Sequence, residues 1–209
     1  KGGFSSFLTS LDGLTRCIHP ASMADSEGYD APMRLEGQLL IATPTLGEGL
    51  FHHSVILLAE HSSDEGAFGL ILNHPSGHSV GDFLKQDEFE ALSDISVHLG
   101  GPVSQENLSF AALWWSSSEV LRFETSISAK EATKRTRIPG VVVRAFLGYS
   151  GWSSGQLESE IRNRSWIPAK PTVELLSRNQ DHSLWSETLQ NLSLYHRIMA
   201  ECPGDPERN

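Results

Sequence analysis

Serine, histidine and glycine residues carry the candidate chemistry of this chain. The segment "AFLGYSGWSSGQLESEI", residues 145–161, reads as a strand, a glycine turn holding Ser150, and a helix. That outline is the nucleophile elbow of serine hydrolases, whose pattern is G-x-S-x-G. Gly148 and Ser150 take its first two fixed positions, but Trp152 stands where the last glycine belongs. That glycine lets helix and strand approach closely, and an indole fills the space instead. A base is needed too. Asp181 and His182 follow in the right order, but they are sequence neighbours, which does not suit the Asp–His pair of one triad. The segment therefore predicts a structural strand–turn–helix with Ser150 as a turn residue. Ser153 is the expected helix cap, with Gln156 three residues on completing a capping box. Leu157 and Ile161 make the helix's apolar stripe, and Glu158 and Glu160 are expected to face water or a partner.

Six of the nine histidines lie between positions 52 and 98: His52, His53, His61, His74, His78 and His98. Their spacing argues against a metal site. On a strand, His52 and His53 would point to opposite faces, and Pro75 and Gly77 separate His74 from His78. His61 and Asn73 each close a strand, and ligand-binding groups collect at such ends; hydrogen bonds that tie down loops are the competing reading. Gly100 and Gly101, before Pro102, suit a tight turn or a small anion nest. With Tyr149, Ser150 and Trp152, these residues form the candidate ligand site if one end of the sheet gathers them. The chain holds no Walker loop, dinucleotide fingerprint or HExxH, so no cofactor is expected.

The elements that must position these residues are mostly strands. "GQLLIATP" is a buried strand ended by Pro44. "HSVILLAEH" and "AFGLILNHP" form a hairpin across "SSDEG", closed by Pro75. Residues 77–93 read as helical or mixed, with Phe83, Leu84 and Leu92 as core contacts. "ISVHLGGPV", "LSFAALWW" and "EVLRFETSI" are further strands. "SAKEATKRTRI" is a helix with Ser128 as its cap and Glu131 three residues on. "GVVVRAFLGYS" is the clearest strand, β-branched and glycine-bounded. "TVELL" reads as a last strand and residues 182–201 as a terminal helical region. Runs of strands with interspersed helices favour a mixed α+β fold over a doubly wound one. Residues 1–34 read as an extension, with apolar residues at helical spacing over 4–16 and a linker after it. Residues 35–209 read as one domain.

The formal net charge of −10 disfavours nucleic acid as a direct partner, because phosphate binding needs clustered cations. The densest basic run is Lys134, Arg135 and Arg137. No apolar run approaches the roughly 20 residues of a membrane helix. Two cysteines, Cys17 and Cys202, make neither a disulfide framework nor a metal quartet. With a start that lacks signal-peptide features, they point to the cytoplasm.

Taken in order, "GQLLIATPTL" leading to Phe51, "SVILLAEH", "GAFGLILNHP", "LGGPV", and "LGYSGWSSGQLESEI" followed by Trp166 resemble the YqgE/AlgH family of bacterial proteins. The resemblance runs from about Leu35 to the C-terminus. It implies a mixed α/β fold whose strongly bent, partly antiparallel sheet closes toward a pseudo-barrel with helices packed outside. It also brings a label, transcriptional regulator, from a member linked to alginate production, and no catalytic residues to carry over. Residues 1–34 lie outside the family pattern. His52 and His74 stand where other members often have arginine or lysine, which weakens any anion-binding role there. Three functions follow as expectations. The first is a non-enzymatic regulatory protein acting through a protein partner. The alternative is a small-molecule binder or enzyme with its site at His61, Asn73, Gly100, Gly101, Tyr149, Ser150 and Trp152. The third is a direct DNA binder.

Overall fold

The computed structural model describes residues 34–176 and 183–192. The chain divides into two units, 1–31 and 32–209, and the described residues belong to the second. The expected N-terminal helix and linker, Asp181–His182, both cysteines and the terminal region past Leu192 lie outside the described residues.

Nine strands of the described residues form one sheet. They are β1 (Leu39–Ala42), β2 (Val55–Ser62), β3 (Gly66–Ile71), β4 (Pro75–Ser79), β5 (Ser96–Leu99), β6 (Val103–Trp115), β7 (Leu121–Ile127), β8 (Val142–Trp152) and β9 (Trp166–Ala169). Among the described residues four α-helices accompany them: α1 (Val80–Phe83), α2 (Ala129–Arg135), α3 (Gln156–Arg162) and α4 (Ser183–Leu192). The sheet is mostly antiparallel and strongly curled, forming a half-barrel. The path β7–β6–β8–β3–β2–β1–β9 crosses it, with β4 and β5 branching from β8.

Strand β8 is the hub. It pairs with β6 over Val142–Tyr149, with β5 in parallel over Ala145–Leu147, and with β3 over Ser150–Trp152. Its residues alternate between two apolar clusters, as a two-residue period demands. Phe146 and Trp152 enter the larger, with β1, β2, β3 and α4. Val143, Ala145 and Leu147 join the smaller, with Val80, Leu92, Val97 and Ala132. Phe146 is fully buried, and burying a side chain of this size contributes about 1.5–3 kcal/mol. Because β1 is buried along its whole length, it reads as a continuous apolar run rather than an alternating one. The indole N–H of Trp185 donates to the Ala42 carbonyl (2.7 Å), fixing α4 on β1.

Several expectations are corrected. "TVELL" is a short 3-10 turn, Val173–Leu176, and the last strand is β9, which contains Pro168. Proline lacks the N–H a central strand needs; β9 tolerates it because it pairs only with β1. Pro75 opens β4 rather than closing β3. Phe83 is 43% exposed and is not a core contact. Ser128 does cap α2, its hydroxyl accepting from the Glu131 N–H.

Candidate functional site

The Gly-Gly and Gly-x-Ser segments meet where β5 hands over to β3 along β8. The Gly100 N–H donates to the Leu147 carbonyl (2.8 Å), and its carbonyl accepts from the Ile71 N–H (3.0 Å). Any side chain at Gly100 or Gly101 would overlap the backbone of Gly148 or Tyr149. Gly148 is doubly constrained: its φ is +68°, and a Cβ there would lie 2.6 Å from the Val103 carbonyl oxygen. Ser150 is fully buried inside β8, opposite Gly69, and its hydroxyl donates to the Gly100 carbonyl (3.1 Å). One expectation and one alternative fall here. The strand runs through Ser150 to Trp152, so Ser150 is not a turn residue. The Gly100 N–H is committed to the ladder, so it is not free for an anion nest.

Asn73 clamps the far end of the β2–β3 hairpin. Its Oδ1 accepts from the Val55 N–H (2.8 Å) and its Nδ2 donates to the His53 carbonyl (2.8 Å). His61 pairs with Ala67 at the opposite end. Asn73 and His61 therefore do not share one end of the hairpin. In an antiparallel hairpin the end of the first strand sits beside the start of the second, not beside its end. His61, Ala67 and Trp152 do share one row across β2, β3 and β8. Tyr149 packs instead on Phe68, with ring centroids 5.1 Å apart.

The row at His61 leads to an arrangement that sequence reasoning missed. The Trp152 and Trp166 indole N–H groups both donate to Oε2 of Glu160, at 2.9 and 2.8 Å. Its Oε1 accepts from Nε2 of Gln156 (2.9 Å), whose own Oε1 accepts from the Ser153 N–H (3.0 Å). Phe51 stacks on Trp152 and meets Trp166 edge-on, at 6.4 and 5.6 Å. Neighbouring Glu158 accepts through Oε1 from the His61 Nε2–H, at 3.0 Å; the His61 side chain is only 2% exposed. So Glu158 and Glu160, expected to face outward, both bind inward. The helix also starts later than expected, with Gly155 as its cap residue rather than Ser153. Beside this row an open groove of about 380 Å³ is lined by Glu36, Glu60, His61, Glu65, Phe68 and Trp152.

The family model described as AlgH-like (DUF179) matches residues 39–197. The chain belongs to the AlgH-like family. It is 32% identical over 188 residues to a UPF0301 protein of Cytophaga hutchinsonii, covering 85% of this chain and all of that one. A UPF0301 protein of Thermobifida fusca is 31% identical over 197 residues, covering 88% of this chain and all of its own. Two solved structures share the fold. A Corynebacterium diphtheriae protein superposes with a TM-score of 0.63 at 20% identity, covering 81% of this chain and 93% of its own. The solution structure of the AlgH protein from Pseudomonas aeruginosa gives 0.59 at 24% identity, covering 84% and 97%.

The AlgH-like signature segments thus build the sheet junction and the Trp–Glu–Trp node. Three other features stand apart from them. Arg144, near the start of β8, is only 6% exposed, and its Nε and Nη1 are buried without hydrogen-bond partners. Burial alone pushes its pKa down to about 10. A lone cation inside "GVVVRAFLGYS" was the sequence signal for it. A cleft of about 580 Å³ lies where the sheet fails to close, between β7 (Leu121, Arg122, Phe123) and residues flanking β1 and β9 (Gly37, Gln38, Lys170). His52 and His53 do not splay as they would on a strand; their rings stack at 3.7 Å, and His53 stacks on Trp185 at 3.7 Å. Among the described residues no helix is long and apolar enough to cross a membrane.

Proposed function

We propose that this AlgH-like protein is a non-enzymatic interaction protein that acts through a protein partner, with the unclosed seam of the half-barrel as its contact surface. One observation carries the reading. The segments that look most like chemistry are committed to the fold, through Ser150 on Gly100, Asn73 on Val55 and His53, and glycines against backbone. The seam instead leaves Trp115, Leu121 and Phe123 facing an open cleft rimmed by exposed Val120 and Arg122. The label transcriptional regulator then describes an effect relayed by a partner. Direct duplex binding fits poorly: Arg135 is held by Glu124 (2.8 Å) and Lys134 by Glu131 (3.1 Å), leaving little free charge in the one basic run. Cytoplasmic action suits this reading.

The test is affinity capture from source cells with the wild type and a Val120→Glu, Arg122→Glu variant. The reading expects a stoichiometric partner that the variant loses at least tenfold. Equal recovery on both baits contradicts it, as does substrate turnover abolished by Ser150→Ala. A second reading, a small ligand in the groove beside His61, is favoured by the buried His61–Glu158 pair at that groove. A compound whose stabilising effect disappears in His61→Gln would select it.

A further inference from the structure

Arg144 alternates with Val143 and Ala145 along β8, so it faces the larger cluster with Phe146 while its neighbours face the smaller one. Its cross-strand neighbour on β6 is Ala111, and Ser109 stands opposite Phe146. The residue directly opposite Arg144 on β6 is therefore small. His98, 7% exposed, pairs with Phe146 from β5 and lies on the same face, adding a nitrogen-bearing ring rather than a carboxylate. Among the described residues Arg144 forms no ion pair, and two of its three nitrogens have no acceptor.

Guanidinium stays charged at neutral pH even after the downward shift that burial imposes. A buried charge without a counter-charge or hydrogen bonds is strongly unfavourable. A chain that needed only packing here would be served by methionine or leucine. The planar fork of an arginine matches a carboxylate or phosphate oxygen pair better than any other acceptor. We propose that Arg144 anchors an oxyanion site on the face of β8 that carries Phe146, taking the carboxylate or phosphate group of a small free anion. The site is independent of the seam and of any partner docked there.

The experiment uses the full chain in chloride buffer, with inorganic phosphate and acetate as separate probes. Wild type, Arg144→Met and Arg144→Lys are compared by thermal unfolding, and the arginine Nε–H signals of wild type are followed by NMR. At roughly a hundredfold excess over Kd, the wild-type Tm rises by about 5–10 °C with at least one probe. The Arg144 Nε–H signal shifts and saturates over the same titration. Arg144→Met lacks this response, and Arg144→Lys, which keeps charge but loses the fork, needs at least tenfold more anion. Parallel Tm rises in wild type and Arg144→Met would overturn the proposal, because they report only a general salt effect. So would an Arg144 Nε–H signal that neither probe moves, a result that needs no variant to fold.

Discussion

The two ends of β8 treat buried polar groups in opposite ways. At the Trp152 end, two indole N–H groups and an amide converge on Glu160, and every donor has its acceptor. At the Arg144 end, a guanidinium is buried as deeply as the indoles, yet two of its nitrogens bond nothing. The same strand supplies both, about eight residues apart. Local satisfaction of hydrogen bonds is what a fold needs to close. Where that rule holds, at Trp152, the residues are scaffold. Where it lapses, at Arg144, something outside the described chain is the natural complement.

Substitutions along β8 can break or sharpen this contrast. The largest effect is expected at the closed end. Trp152→Ala removes a 7%-exposed indole that packs on Phe51 and Trp166, and should cost about 3–5 kcal/mol by urea unfolding. A loss under about 1 kcal/mol would mean that the aromatic node contributes little. Glu160→Gln keeps the shape but places an amide where two acceptor oxygens stood. It should cost about 1–3 kcal/mol by the same measurement.

The open end makes a prediction about pH. Burial lowers the Arg144 folded-state pKa to about 10, below its unfolded value. The buried charge therefore penalises the fold fully below pH 10, and the penalty lifts as pH rises, because the folded state loses the proton first. Wild type should gain on Arg144→Met by about 1 kcal/mol by pH 11. A constant difference between pH 8 and 11 would show that Arg144 is better solvated than its burial implies. The smallest effect is expected at Ser150→Ala, about 0.5–1 kcal/mol, because the Gly100 carbonyl keeps the Ile71 N–H.

Much of the fold was legible because β-branched and apolar runs mark strands whatever surrounds them. β1, β2, β3, β6, β7 and β8 all follow such runs. The curl of the sheet came from the family resemblance, since periodicity says nothing about closure. β9 was hidden by Pro168, whose tolerance depends on having one neighbour rather than two. The candidate site was less legible. His61 and Asn73 both end strands, but chain direction puts them at opposite ends of the hairpin. Trp152 looked like a failed elbow glycine because its partner, Glu160, is recognisable only once α3 folds back over the strand. Ser150 looked like chemistry because glycines flank it; Gly148 serves close backbone approach instead.

The sign of one stability change tests the contrast between the two ends most directly. Urea unfolding of wild type and Arg144→Met should be compared at neutral pH in chloride buffer free of phosphate and carboxylates. Replacing a buried, unpaired cation by an apolar side chain of similar length should stabilise the protein, by about 1–4 kcal/mol. A clear loss of stability in Arg144→Met, at an unchanged m-value, would show that Arg144 already has its complement within the folded chain, and the contrast between the ends of β8 would fail.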